Sequence, residues 1–191
     1  MSLLRLAFPA LCAAAALAAG AQTPAIDAAL MAKASGGDAA AQVAVGERYA
    51  AGQGIAQDLK QAAGWYRKAA EAGNAAGEVR LAELYRDGRG VERDAAQAAE
   101  WYRRAAEQGD AGAQGTLAVL YSLGRGVPQS YAESYYWFDL AAAVEGPKQQ
   151  QYIANRQNVG AHITADELAQ VQERAAKWKA AHPRAAVNPT S

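Results

Sequence analysis

The sequence predicts an all-α protein, a right-handed α-solenoid of stacked helix hairpins, and three observations favour this fold. A pattern of 36 residues occurs three times in the 191-residue chain without insertion or deletion. Apolar residues follow a helical period in both halves of each copy. A Gly-x-Gly loop separates the two halves. Because each repeat of a solenoid buries its apolar face only against its neighbours, the chain offers an extended surface for binding.

The positions that recur at this period define the structural frame. In each copy a tyrosine precedes two glycines, and a tryptophan follows in the second half. Aromatic side chains at stripe positions beside alanine favour a core role over a base-stacking or glycan-binding strip, because each buries a large apolar area. The frame positions are Tyr49, Gly52, Gly54 and Trp65; Tyr85, Gly88, Gly90 and Trp101; and Tyr121, Gly124, Gly126 and Trp137.

Residues 1–21 are predicted to be a cleaved signal peptide. Arg5 supplies the positive end, residues 6–19 are apolar, and Ala19-Gly20-Ala21 fits a small-x-small cleavage site before Gln22. A retained N-terminal anchor is the alternative, although the apolar run is short for a membrane span. Cleavage predicts a bacterial protein that is periplasmic or secreted and is not inserted in a membrane afterwards.

Composition argues against several classes of function. The 19 basic and 19 acidic residues balance, and no basic stripe indicates nucleic-acid binding. Cys12 is the only cysteine and lies in the signal peptide, so the mature chain has no disulfide or zinc-thiolate site. His162 and His182 are the only histidines and have no convergent ligands in the sequence. No P-loop, G-x-S-x-G or H-E-x-x-H motif occurs, so we predict no catalytic residue, metal or cofactor.

After the signal peptide, residues 22–37 are predicted to form an N-terminal capping helix. Its segment 26–35 resembles a lone second helix of a repeat, with Leu30 and Ala34 at the positions of Tyr66 and Ala70. A cap of this kind shields the end of a solenoid from water.

Three repeats follow, at 38–73, 74–109 and 110–146. In the middle copy Leu81 and Tyr85 mark one face of the first helix, and the glycine pair after it predicts a helix stop. Asp94 opens the second helix as an N-cap, with Gln97 in a capping-box-like position. The apolar stripe of the second helix consists of Ala98, Trp101, Tyr102, Ala105 and Ala106.

The run from Leu81 to Gly109, with its G-x-G-V loop, resembles the Sel1-like repeat, a relative of the tetratricopeptide repeat. The tetratricopeptide pattern has 34 residues and lacks that loop. The resemblance covers about residues 38–145 and implies an adaptor or scaffold without a cofactor, often exported in bacteria. Two departures stand out: Gly64 lies in a helix where alanine is better by about 0.8–1 kcal/mol, and Asp139 replaces a basic residue.

Residues 147–183 are predicted to form C-terminal capping helices. The first spans 149–159, and the second begins at Thr164, which with Glu167 makes a capping box. Arg174 and Lys179 are expected to face water. The tail 184–191 is predicted to be disordered.

The partner surface is predicted on the first helices of the repeats, which we expect to line the concave wall. At 100° per residue, the side opposite the core falls on position 43 and its neighbours. Gly115 is the third-repeat member of this set. The residues predicted to bind a partner are Val43, Glu47, Val79, Arg80, Glu83, Arg86, Thr116 and Val119.

The sequence thus favours an exported, non-catalytic adaptor, a monomer that binds a protein or peptide on its concave face. One alternative is an envelope hydrolase acting on peptides or β-lactam-like compounds. Another is a module that binds peptidoglycan or another glycan, which exposed rings at Tyr102, Tyr135 or Trp137 would favour. The partner and its pathway stay open.

Overall fold

The computed structural model describes residues 26–183, so the predicted signal peptide and the predicted disordered tail lie outside the described residues. Within 26–183 the chain forms nine α-helices and no strand. They are α1 (Ala28–Ser35), α2 (Ala39–Ala51), α3 (Leu59–Glu71), α4 (Ala75–Asp87), α5 (Ala95–Glu107), α6 (Ala111–Leu123), α7 (Tyr131–Ala141), α8 (Gln149–Gly160) and α9 (Ala165–Ala181).

The helices stack as the repeat pattern predicts. Hairpins form between α2 and α3, α4 and α5, and α6 and α7, and each second helix also packs on the first helix of the next repeat. Helix α1 covers α2 at one end, while α8 and α9 both pack against α7 at the other. The prediction of an all-α solenoid with helical caps is therefore confirmed.

Polar N-caps start the second helix of each repeat. The Asp58 and Asp94 carboxylates each accept two backbone N–H bonds, and the Ser130 hydroxyl accepts one. Among the described helices, the reciprocal bond of a full capping box forms at Thr164, whose backbone N–H donates to Glu167. In the repeats, only the N-cap side chain of the box-like pattern makes its hydrogen bonds. These bonds satisfy first-turn N–H groups that would otherwise lack partners.

The two glycines of each loop serve different purposes. Gly124 ends α6 in the left-handed conformation, at φ 63°. Gly126 also has a positive φ, and a Cβ there would lie 2.0 Å from the carbonyl oxygen of Ala95 at the start of α5. Gly90 stands in the same relation to Leu59, at 2.2 Å. The second glycine is therefore the point where one repeat rests on the backbone of the repeat before it.

Within each Trp–Tyr pair of the first two repeats, the tyrosine is the core residue. Tyr66 and Tyr102 are 3% and 2% exposed. Trp65 and Trp101 are only half-buried, and Lys68 and Arg104 stand over their rings at 4.1 and 4.5 Å. This corrects our assignment of both tryptophans to the core.

The third tryptophan, Trp137, is buried as expected. The difference follows from packing, because α9 lies against α7, the helix that carries Trp137. Neither α3 nor α5 packs against a corresponding outer helix to the same extent.

Asp139 of α7 binds both helices of the C-terminal cap, α8 and α9. Its carboxylate, 9% exposed as a residue, accepts hydrogen bonds from Arg156 of α8 and from Lys179 of α9, the latter at 2.6 Å. Arg174 forms a two-pronged pair with Glu133 at 2.7 and 2.8 Å. Arg174 and Lys179 therefore bind α7 instead of facing only water, which corrects the expectation from the helical pattern.

Candidate functional site

The first two repeats enclose a cleft, here called the α2–α4 groove, with a volume of about 540 Å³. Helices α2 and α4 contact each other directly, and the second helix α3 forms the floor. The lining combines charged and apolar side chains: Glu47, Ala50, Ala51, Gln53, Leu59, Tyr66, Arg80, Glu83, Leu84, Arg86, Asp87 and Arg89.

Arg80 links the two helices that border the groove. Its guanidinium donates to Glu47 of α2 at 3.1 Å and to Glu83 of its own helix at 3.2 Å. These side chains are between one third and one half exposed, so the pairs add little to stability. Their effect is positional: three long side chains are held in one charged patch that spans two repeats.

A second charged cluster lies at the loop end of α4. Arg86 donates to both carboxylate oxygens of Asp87, at 2.7 and 3.1 Å, and to the Tyr102 hydroxyl at 3.2 Å. The bond to Asp87 raises the pKa of Arg86, and the same bond lowers the pKa of the Asp87 carboxyl. Both groups are therefore charged across the physiological range.

The buried tyrosines bring neutral hydroxyls to this charged surface. Burial, reinforced by Glu47, raises the pKa of Tyr66 to about 12. Burial also raises the pKa of Tyr102 to about 12, against the opposing effect of Arg86. Neither phenol ionises near neutral pH, so both keep the proton that a hydrogen-bond donor needs.

A smaller cleft, the α6–α8 pocket, has a volume of about 260 Å³. Val119 lines this pocket and is 38% exposed, whereas most large apolar side chains of the described residues are buried or half-buried. On the same helix Leu123 is 52% exposed. The pocket is lined by Gly115, Thr116, Val119, Phe138, Lys148, Gln151, Tyr152 and Asn155.

The residues predicted to bind a partner divide into three groups. Four line the α2–α4 groove, namely Glu47, Arg80, Glu83 and Arg86. Thr116 and Val119 line the α6–α8 pocket. Val43 and Val79 are half-buried and pack against the core clusters. The binding role of all eight stays a prediction.

Gly115 does not belong to an open concave wall, contrary to the helical-wheel expectation. It is buried, and a Cβ at this position would lie 2.3 Å from the ring of Tyr152. The sequence placed a capping helix at 149–159 but gave no orientation for it, so this contact was missed. Tyr66 also lines the groove and was not among the predicted partner residues, because it occupies a position of the apolar stripe on a second helix.

The described residues offer little support for a metal site, a membrane span or a glycan-binding strip. Between residues 26 and 183 no group of three or more His, Cys, Asp or Glu side chains is arranged to hold a metal ion. No helix in this part of the chain has the length and apolar character needed to cross a bilayer. Tyr102, Tyr135 and Trp137, whose exposure would have favoured glycan binding, are at most 9% exposed.

Comparison with protein families identifies the repeats. A family profile described as "Sel1 repeat" matches residues 39–74, 75–110 and 112–143, which together exceed half of the chain. The chain belongs to the Sel1 repeat family. No curated protein matches this Sel1 repeat protein.

Two solved structures share its fold. One is a protective antigen of uropathogenic Escherichia coli with an SLR fold, at 33% identity and a TM-score of 0.71 over 82% of this chain. The match spans only 33% of that antigen, so this chain covers about a third of its length. The other is a Sel1 repeat protein from Oxalobacter formigenes, at 34% identity and a TM-score of 0.62, covering 68% of this chain and 96% of that one.

Proposed function

We propose that this Sel1 repeat protein is an exported, non-catalytic adaptor that holds a peptide or protein partner in the α2–α4 groove. The observation that carries the proposal is convergence: Glu47, Arg80 and Glu83, which helical position selects on two repeats, line one cleft together with the predicted residue Arg86. Proteins with Sel1 repeats generally bind other proteins. The charged patch around Arg80 gives a partner directional contacts, and the apolar side chains of Leu59, Ala50 and Ala51, which are half-buried or exposed, give it area to bury.

Export is part of the proposal and rests on residues 1–21, whose pattern fits a cleavable signal peptide. The mature protein would begin at Gln22 and act in the periplasm or outside the cell. The full chain, produced in a bacterial host, should be recovered from the periplasmic or culture fraction with Gln22 as its first residue. Recovery from the cytoplasm with residues 1–21 intact would contradict export.

Partner binding is tested by cross-linking at defined positions in the full chain. A photoreactive amino acid at Ala51, an exposed groove residue, should link to a partner in envelope extracts. The same group at Glu71, exposed at the end of α3 outside the groove, is the matched control. Reversing both charges with Arg80→Glu and Glu83→Arg keeps a pair within α4 but sets a new carboxylate against Glu47.

The expected result is a product formed from Ala51, absent from Glu71 and lost on charge reversal. Identical products from both positions, or a product insensitive to the reversal, would show that the groove is not the binding face. Circular dichroism of the reversed variant checks that the helices are intact.

A further inference from the structure

The first helices of the three repeats present different chemistry at equivalent positions. One such row, here called the concave row, consists of Glu47, Glu83 and Val119, each one 36-residue period after the last. A second row consists of Ala51, Asp87 and Leu123. In both rows the third repeat replaces a polar or small residue with a large apolar one. The exposed large apolar side chains identified among residues 26–183 are these two, Val119 and Leu123.

Glu47 and Glu83 outnumber the one guanidinium that binds them, although the charges lining the whole cleft are balanced, with Arg86 and Arg89 beside Asp87. Glu47 and Glu83 share the single guanidinium of Arg80, each through one oxygen. The neighbouring cation, Arg86, donates to both carboxylate oxygens of Asp87 and is therefore already paired. A basic side chain from a partner would reach the carboxylate oxygens of Glu47 and Glu83 that Arg80 leaves free.

The apolar end of the row opens into the α6–α8 pocket. Phe138 and Tyr152, 2% and 8% exposed, contribute buried rings to it, and Val119 stands at its edge. Because position 115 is glycine where the other repeats have valine, the ring of Tyr152 can settle directly on the backbone of α6. At about 260 Å³ the pocket is below the size of most small-molecule sites, which suits one apolar side chain of a longer ligand.

The two ends are separated by a distance that a peptide can span. Packed helices lie about 8–10 Å apart, and an extended chain advances about 3.3 Å per residue. One step between neighbouring first helices, such as the contacting pair α2 and α4, therefore corresponds to about three residues of an extended peptide. Because the repeat has a constant period, we take the same step from Glu83 to Val119.

We propose that the concave row binds an extended segment of a partner protein in which a basic residue and an apolar residue stand about three positions apart. The basic side chain contacts Glu47 and Glu83, and the apolar one enters the α6–α8 pocket. This inference rests on the proposed adaptor function and adds to it the chemistry of the partner.

Selection of random twelve-residue peptides on the immobilised full chain tests the pattern. Enriched sequences should carry lysine or arginine and a leucine, isoleucine or phenylalanine at the stated separation, in one consistent order. For a selected peptide, Glu83→Gln should raise the Kd by about threefold to fivefold, as expected for a part-exposed ion pair.

A change of specificity is the stricter test. Val119→Glu gives the third repeat the residue that Glu47 and Glu83 supply in the first two, so the fold should accept it. Peptides selected on this variant should lose the apolar preference and gain a second basic residue about three positions from the first. Glu71→Lys, outside the groove, changes the charge equally and should leave the selected pattern as it was.

The outcomes separate the two proposals. Enriched peptides without the basic and apolar pair, or a pattern that Val119→Glu leaves unchanged, would overturn the inferred chemistry. The adaptor function would still stand if Ala51 cross-links to a partner. Absence of any enrichment, together with absence of a cross-linked product from Ala51, would overturn both.

Discussion

The first two repeats and the third share one frame but continue differently into the next element. In the first two, an arginine of the second helix reaches forward to a tyrosine of the next repeat. Arg67 donates to the Tyr85 hydroxyl at 2.8 Å, and Arg103 to that of Tyr121 at 2.9 Å. In the third, Asp139 takes the arginine position and accepts from Arg156 and Lys179 of the cap.

The difference shows how a solenoid of equal units is brought to an end. Gln157 stands 36 residues after Tyr121, so the phenol that accepts from Arg67 and Arg103 in the earlier repeats has no counterpart for residue 139. The negative charge at 139 instead binds two basic residues of the cap, Arg156 and Lys179. The cap also covers Gly115 of the third first helix through Tyr152, so that only the smaller α6–α8 pocket stays open there.

The largest expected effect tests the close contact that Gly90 and Gly126 make between successive repeats. Gly126→Ala places a Cβ about 2 Å from the Ala95 carbonyl oxygen, at a residue with φ 73°. Strain and overpacking together should cost about 3 kcal/mol of unfolding free energy. Thermal unfolding followed by circular dichroism should show the melting temperature falling by about 6–12 °C.

The matched control is Gly64→Ala in α3. A Cβ there meets no atom within 4 Å, and the residue is exposed in the interior of a helix. This variant should gain about 0.8–1 kcal/mol from helix propensity. If Gly126→Ala is as stable as the wild type while Gly64→Ala gains, the repeats do not rest on one another at this loop.

An intermediate effect distinguishes the cap from the repeats. Asp139→Asn leaves Arg156 and Lys179 without their carboxylate in a partly buried setting. We expect a loss of about 2 kcal/mol, below the cost for a fully buried pair because both cations keep some contact with water. Hydrogen exchange should rise in α8 and α9 first, while α4 keeps its protection.

Glu173→Gln is the control for this prediction. It removes the pairing of Glu173 with Lys177, in which both side chains are more than two thirds exposed, and should leave stability nearly unchanged. Equal protection loss in α4 and α9 after Asp139→Asn would show that the ion pairs support the whole stack and do not act mainly on its end.

The smallest effect compares one buried position across the repeats. Gln42 and Gln114 donate to the Ala34 and Ala106 carbonyl oxygens at 3.1 and 3.0 Å. The second repeat has Glu78 there, 3% exposed, and its carboxylate accepts from Gln108. Burial raises the pKa of Glu78, opposed by Arg104. An ionised carboxylate has no proton to donate. Glu78 therefore cannot make the hydrogen bond to a backbone carbonyl oxygen that Gln42 and Gln114 make.

The direction of the pH effect follows from that raised pKa. A carboxyl group that binds its proton more tightly when folded adds stability below its unfolded pKa and loses that stability as the pH rises through its folded pKa. Glu78→Gln should therefore raise the unfolding free energy at pH 7 by about 1 kcal/mol and by less at pH 4. Melting curves at both values check this, with exposed Glu71→Gln as control. An equal gain at both pH values would contradict the role of ionisation.

The frame of the molecule was predictable because repetition supplied three independent copies of each signal. Tyr85, Gly88 and Asp94 each recur or have close counterparts at the same spacing, so the helix ends and their N-caps could be placed. Helical geometry also selected Glu47 and Arg80 for the exposed side. What the sequence left undetermined depends on unique contacts, since Tyr152 has no counterpart in a repeat and nothing in its spacing indicates that it covers Gly115.

The contact at the second loop glycine also bears on how such a chain can change in length. Gly90 rests on Leu59, and Gly126 on Ala95, which lies one 36-residue period further along. A crossover between copies that keeps this period returns a glycine to every such contact. A crossover out of register brings a side chain there, and the joint is lost. Such an array can therefore lengthen or shorten by recombination in whole 36-residue units without losing these contacts.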